Sequence, residues 1–156
     1  MLHTHWLRLL KALAMLAGIV LVTDILLIAA DVLFRNLGIP GLGWVSDIIE
    51  YSLPLSTLLS APWLVASKGH VRLDLLVERM SSGQRQALFR ATMLLASAVT
   101  GALVYASALM ALDAFRSGAL VMKSLIFPEW WIMAAVPPLF LLTALECLRS
   151  ALARAE

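Results

Sequence analysis

Four long apolar stretches, separated by short polar segments, set the pattern of this chain. They run from about Leu9 to Phe34, Val45 to Ser67, Ala91 to Leu112 and Ile126 to Leu148. A helix needs roughly 20 apolar residues to cross about 30 Å of hydrocarbon, and each stretch reaches that length. The third carries no formal charge at all. In hydrocarbon every backbone polar group needs a partner within the protein, so segments of this length predict helices. Membrane-spanning strands would be about half as long and would alternate in polarity. The expected fold is an all-α integral membrane protein: one membrane domain over residues 1–156, with four transmembrane helices and a cytoplasmic loop over 68–90.

The connections differ in character. Asn36 to Trp44 holds Gly38, Pro40, Gly41 and Gly43 and predicts a tight turn. The loop over 68–90 is the longest and most charged. Within it, Val71 to Met80 mixes apolar residues with Arg72, Asp74, Glu78 and Arg79, which predicts a short amphipathic helix at the membrane surface. Ser81 with Gln84 three residues on fits a capping box that opens the third helix.

Composition sharpens the picture. Hydrophobic residues make up 62% of the chain, charged residues 14%, and mean hydropathy is +0.91. A soluble domain is about half apolar and a quarter charged. The isoelectric point near 9.0 goes with a net charge of only +2 and no dense basic run, so membrane lipid rather than nucleic acid is the expected surface partner. Cys147 is the single cysteine, so no internal disulfide can form. Arg8 and Lys11 precede the first stretch as in a signal sequence. That stretch is too long for a cleaved leader and is interrupted by Asp24 and Asp31, so it is expected to stay as a signal-anchor helix.

Basic residues predict the orientation. Arg8, Lys11, Lys68, Arg72, Arg79, Arg85, Arg90, Arg149 and Arg154 fall on one side, and Arg35, Arg116 and Lys123 on the other. Nine against three places both termini and the central loop in the cytoplasm. All five tryptophans, Trp6, Trp44, Trp63, Trp130 and Trp131, fall near predicted helix ends, where an amphipathic ring anchors at the headgroups.

The candidate chemistry lies in the few polar groups of the spans. Asp24 and Asp31 are seven apart and share a helix face with Arg35, four beyond Asp31. An acid four residues before a base is the favourable order for an intrahelical pair. Facing lipid, such groups would cost about 3 kcal/mol or more each, so this face is expected to point into protein. Asp47 and Glu50 open the second helix near the same boundary, and an Arg35–Glu50 pair across the short loop is expected. Ser52, Ser56 and Ser60 repeat every four residues and form a small-residue stripe for close helix contact; Ser97 and Gly101 are a second such pair. The deep Asp24 could alternatively serve a proton or ion relay.

Enzyme chemistry finds no support. His3, His5 and His70 lie outside the predicted spans, so the spans offer no haem ligands. There is no phosphate loop, HExxH or nucleophile elbow. No catalytic residue, metal site or cofactor of this chain is expected.

Arg35, the short Gly/Pro loop, Trp44, Glu50 and then Lys68-Gly69-His70-Val71-Arg72-Leu73-Asp74 together resemble the small membrane subunit of tripartite ATP-independent periplasmic (TRAP) transporters, the DctQ-like family. The resemblance covers about Leu7 to Arg149, and Gly69 to Asp74 directly after the second helix is its most specific part. It implies a multi-pass protein of the bacterial inner membrane with two partners. One is a large membrane subunit that holds the substrate and sodium sites. The other is a periplasmic binding protein that delivers an organic acid such as a dicarboxylate. Symport would be driven by sodium, with the small subunit as scaffold. On that reading Asp24, Asp31, Arg35, Asp47, Glu50 and the serine stripe fix helices to each other or to the large subunit. Gly69, His70, Arg72 and Asp74 shape the cytoplasmic surface. Arg35, Arg116, Lys123 and Glu129 are candidates for docking the binding protein, and substrate-binding residues are expected in the large subunit. The competing expectation is an autonomous small transporter coupled to protons through Asp24.

Overall fold

The computed structural model describes residues 2–67 and 81–152. Among the described residues four helices carry the fold: α1 (Leu2–Asn36), α2 (Gly43–Ala66), α3 (Ser82–Ser117) and α4 (Trp130–Leu152). All four are long and apolar enough to cross a membrane. Between α3 and α4 lies a hairpin of β1 (Leu120–Met122) and β2 (Ile126–Pro128), antiparallel with Val121 opposite Phe127. The family-motif loop Gly69 to Asp74 and the short helix expected over Val71 to Met80 lie outside the described residues.

Local chemistry explains the helix ends. α1 stops at Gly38, whose φ of +74° suits a residue without a side chain. There the Ile39 N–H donates to Phe34 O at 3.0 Å and the Gly38 N–H to Arg35 O at 3.2 Å, a Schellman closure. α3 opens on the reciprocal capping box of Ser81 and Gln84 and closes at Gly118, with φ +63°. It continues past its apolar stretch through Asp113 and Arg116. α2 and α4 run unbroken through Pro54 and Pro62, and through Pro137 and Pro138.

The fourth boundary departs from expectation. The apolar run begins at Ile126, but the helix begins at Trp130. Pro128 cannot donate to a ladder and biases Phe127 toward extended backbone, so the first residues of the run pair as a strand instead.

Neighbouring helices pack in the order α1, α2, α4, α3. Chain direction alternates, so the start of α1 and the end of α4 meet at one end of the bundle (the terminal end). The turn after α1 and the hairpin occupy the other (the loop end). The burial pattern is the reverse of a soluble protein's. Asp24, Asp31, Asp47 and Glu146 are buried, whereas Ile19, Ile25, Leu26 and most of the apolar surface of α3 are exposed. Hydrocarbon as surrounding solvent accounts for both halves of that pattern.

Candidate functional site

The seam between α1 and α2 holds two carboxylates of α1. Midway along the helix, Asp24 accepts a hydrogen bond from the Ser52 hydroxyl at 2.7 Å. Nearer the loop end, Asp31 accepts from the Leu42 backbone N–H at 2.6 Å and pairs with Arg35 at 2.7 Å. One acid thus ties helix to helix, and the other ties the helix to the turn that follows it. Gly41 sits close beside the second: a Cβ there would lie 2.6 Å from Arg35 Nε and 2.8 Å from Asp31 Oδ1, so the pair would have to shift to admit one.

A third carboxylate organises the hairpin. Asp47, in the first turns of α2, accepts from the backbone N–H of Ser124 at 2.8 Å and of Leu125 at 3.3 Å. The next turn of α2 presents Glu50, which pairs with Lys123, while the ammonium stands 5.3 Å from the centre of the Tyr51 ring. Tyr51 in turn meets Phe127 edge to face at 5.7 Å. The hydrogen bond from Lys123 to Glu50 holds the ammonium above its ordinary pKa of 10.5, against a smaller opposing effect of desolvation. One face of α2 therefore holds the turn of the hairpin and, through Phe127, its second strand.

Arg35 and Glu50, expected to pair with each other, do not. Arg35 finds Asp31 on its own helix one turn back, a contact that needs no reach across a loop. Glu50 is taken by Lys123 from a hairpin that the hydrophobic pattern does not reveal. Of the residues considered for docking, Arg35 and Lys123 are thus engaged within the chain, Arg116 is exposed, and Glu129 is half-buried at the foot of α4. The serine stripe divides. Ser52 serves Asp24, Ser60 bonds to Thr57 O on its own helix, and Ser56 is buried with no partner for its hydroxyl. Ser97 reaches Ala144 O on α4 at 3.1 Å, whereas Gly101 faces open space.

At the terminal end, Glu146 of α4 is only 1% exposed. It accepts from the Trp6 indole at 2.6 Å and from Arg149 at 3.1 Å. Sequence reasoning missed Glu146. The available signal was a lone acid inside an apolar run, three residues before a base. It also gave Trp6 only an anchoring role, and Trp6 bridges helices. Trp44 and Trp131 are exposed at the loop end, Trp63 is half-buried at the terminal end, and Trp130 stacks edge to face on Phe115 and Trp131.

Beside the intrahelical pairs Asp31–Arg35 and Glu146–Arg149, each buried carboxylate described above also bonds to a different element of the chain. Four membrane-crossing helices around such an interior make this a multi-pass membrane protein. The chain belongs to the family described as Tripartite ATP-independent periplasmic transporters, DctQ component, which matches over residues 24–156. The matched segment contains all the buried acids. Neither the curated proteins nor the solved structures compared with it gave a match. The family makes it a small membrane component of a TRAP transporter.

Proposed function

We propose that this chain is the scaffold subunit of a sodium-driven importer of organic acids in the bacterial inner membrane, with both termini cytoplasmic. It pairs with a large membrane subunit that carries substrate and sodium, and its loop end helps receive a periplasmic binding protein. The observation that carries this reading is how the buried carboxylates are used. Asp31, Asp47 and Glu146 each accept from backbone, indole or guanidinium groups that pin a loop or a helix end. Intramembrane ionisable groups usually mark a transport path. Here they brace the bundle, which suits a stationary support. The nine-to-three distribution of basic residues favours the terminal end as the cytoplasmic one.

The test is reconstitution. Purified from native membranes, the chain brings with it a much larger hydrophobic polypeptide. Vesicles holding both, supplied with the binding protein, take up an organic acid when a sodium gradient is imposed; vesicles holding this chain alone do not. A stable homodimer active by itself overturns the assignment. The autonomous proton-coupled reading rests on Asp24, and it requires pH-driven uptake in vesicles of this chain alone that Asp24→Asn abolishes.

A further inference from the structure

The face of α1 turned away from the bundle changes chemistry along its length. Leu10, Ala17, Asp24 and Asp31, each seven after the last, are buried and mark the side that meets the rest of the bundle. Arg8, Lys11, Met15, Ile19, Val22 and Leu26 follow one another at three or four residues on the opposite side. The four apolar ones are each more than half exposed, and both cations are exposed too. Asp31 lies twenty positions beyond Lys11, roughly 30 Å at 1.5 Å per residue, which is one hydrocarbon thickness. Arg8 and Lys11 therefore stand where hydrocarbon gives way to headgroups at the terminal end, directly above an apolar stripe.

These two cations have no acid of their own. Among the described residues neither Arg8 nor Lys11 forms an ion pair. The acid that the described residues supply at this end is Glu146, which is buried and held by Trp6 and Arg149. The loop end differs, because Arg35 and Lys123 each have a carboxylate. Like charges one turn apart on a helix repel, so an anion seated between them relieves the pair.

We propose that Arg8 and Lys11 clasp the phosphate of an anionic phospholipid from the leaflet at the terminal end, with one acyl chain lying along Met15, Ile19 and Val22. The two parts of the ligand match the two parts of the face. A soluble anion would use the cations and leave the stripe below them without a role. A zwitterionic lipid would cover the stripe and bring no net charge to the cations. A headgroup of net negative charge on acyl chains answers both. Arg8 offers a planar fork of donors to phosphate oxygens, and Lys11 adds a mobile point charge. The negative potential of an anionic leaflet draws such cations to its surface. The proposal needs only the membrane-crossing fold and stands apart from the transporter assignment.

The experiment reconstitutes the full chain in mixed vesicles of phosphatidylcholine and phosphatidylglycerol, one of which carries a photoactivatable diazirine on its acyl chain. After irradiation, adducts are mapped by mass spectrometry. The expected result is labelling of Met15 and Ile19 several-fold stronger by the phosphatidylglycerol probe than by the phosphatidylcholine probe at equal membrane fraction. Arg8→Gln with Lys11→Gln should bring the two probes to parity. Arg85→Gln with Arg90→Gln removes the same charge from α3 and should leave the preference at Met15 intact. Inorganic phosphate added at constant ionic strength should not reduce it. Equal labelling by the two probes overturns the proposal, as does a preference that survives the α1 double variant. A preference lowered as far by the α3 double variant overturns it in favour of net charge alone, and one abolished by phosphate in favour of a soluble anion. In the complex isolated from native membranes, a cross-link from position 15 to a second polypeptide in place of the lipid adduct also overturns it and assigns the face to a protein partner.

Discussion

Trp6 and Glu146 lie 140 positions apart in the chain, yet the indole N–H of one rests 2.6 Å from a carboxylate oxygen of the other. The bond joins the first turns of α1 to the last turns of α4 and closes the terminal end of the bundle. Removing one partner strands the other. Trp6→Phe keeps the ring and loses the donor, and Glu146→Ala leaves both Trp6 and Arg149 without an acceptor. Hydrogen bonds between membrane helices contribute about 0.6 kcal/mol on average and up to about 1.7. Trp6→Phe should cost about 1 kcal/mol in unfolding from mixed micelles, and Glu146→Ala more. A double-mutant cycle of Trp6→Phe with Glu146→Ala should show coupling; strictly additive effects would mean the contact contributes nothing.

Asp47 should control the order of the hairpin. Its carboxylate is the acceptor for two backbone amides in the turn between the strands. Asp47→Ala leaves Ser124 and Leu125 without that acceptor, at about 1–3 kcal/mol for a partly buried donor. Hydrogen exchange at these two amides should accelerate by tenfold or more, with exchange in the middle of α3 unchanged. Unaltered protection at Ser124 would show that the strands hold the turn without help from α2.

The four helices were legible because lipid imposes a length on apolar runs that nothing else in this sequence imitates. Ser81 and Gln84 marked their helix start because a capping box is local. The hairpin was not legible. Ile126 to Pro128 continue the apolar run of α4 without a break, and what selects strand over helix is partly the Pro128 backbone and partly an acid 77 residues away. Arg35 was placed on the right face of its helix, in the favourable order with Asp31 that the structure realises, but its further pair with Glu50 does not form, because Lys123, the competitor for Glu50, becomes a neighbour only once the hairpin exists. Glu146 escaped notice because an acid near the end of an apolar run, three residues before Arg149, reads as a surface charge, and nothing in the pattern says that a tryptophan from the other end of the chain will meet it.

The Lys123–Glu50 pair gives an alkaline signature. Lys123 titrates above 10.5 in the folded protein because Glu50 favours its charged form. A base raised on folding contributes stability below its unfolded pKa and loses it as pH climbs through the folded value. The difference in thermal midpoint between wild type and Lys123→Met should therefore be constant around neutrality and shrink only above about 10.5. A difference that vanishes already near neutral pH would assign the effect of the substitution to lost packing on Tyr51. The pair is exposed, so the difference should be small and should fall with salt.

Gly41 and Gly38 test two different demands of the same turn. Gly38→Ala meets open space but must hold a left-handed backbone, at about 1–2 kcal/mol. Gly41→Ala has no such backbone requirement, yet its methyl would enter the Asp31–Arg35 pair. It should cost about 1–3 kcal/mol by overpacking and should lower the protection of the Leu42 amide, which Asp31 holds. Gly38→Ala should leave that amide protected. The two substitutions thus resemble each other in stability and differ in exchange.

Asp24 separates bracing from transport. Its recorded partner is the Ser52 hydroxyl, which donates to Oδ2. Asparagine keeps an oxygen at that place, so Asp24→Asn preserves the bond between α1 and α2, whereas Asp24→Ala leaves the hydroxyl without its acceptor in a seam that water does not reach. If the acid braces two helices, the asparagine variant should unfold like wild type and support full uptake in the reconstituted complex, and the alanine variant should lose about 1 kcal/mol of stability. If the acid carries a proton, the ranking inverts for function. Asparagine, which cannot release one, should stop uptake as completely as alanine while leaving the fold intact. Uptake by the asparagine variant in the assembled transporter decides between the two, because only there are stability and activity read from the same protein.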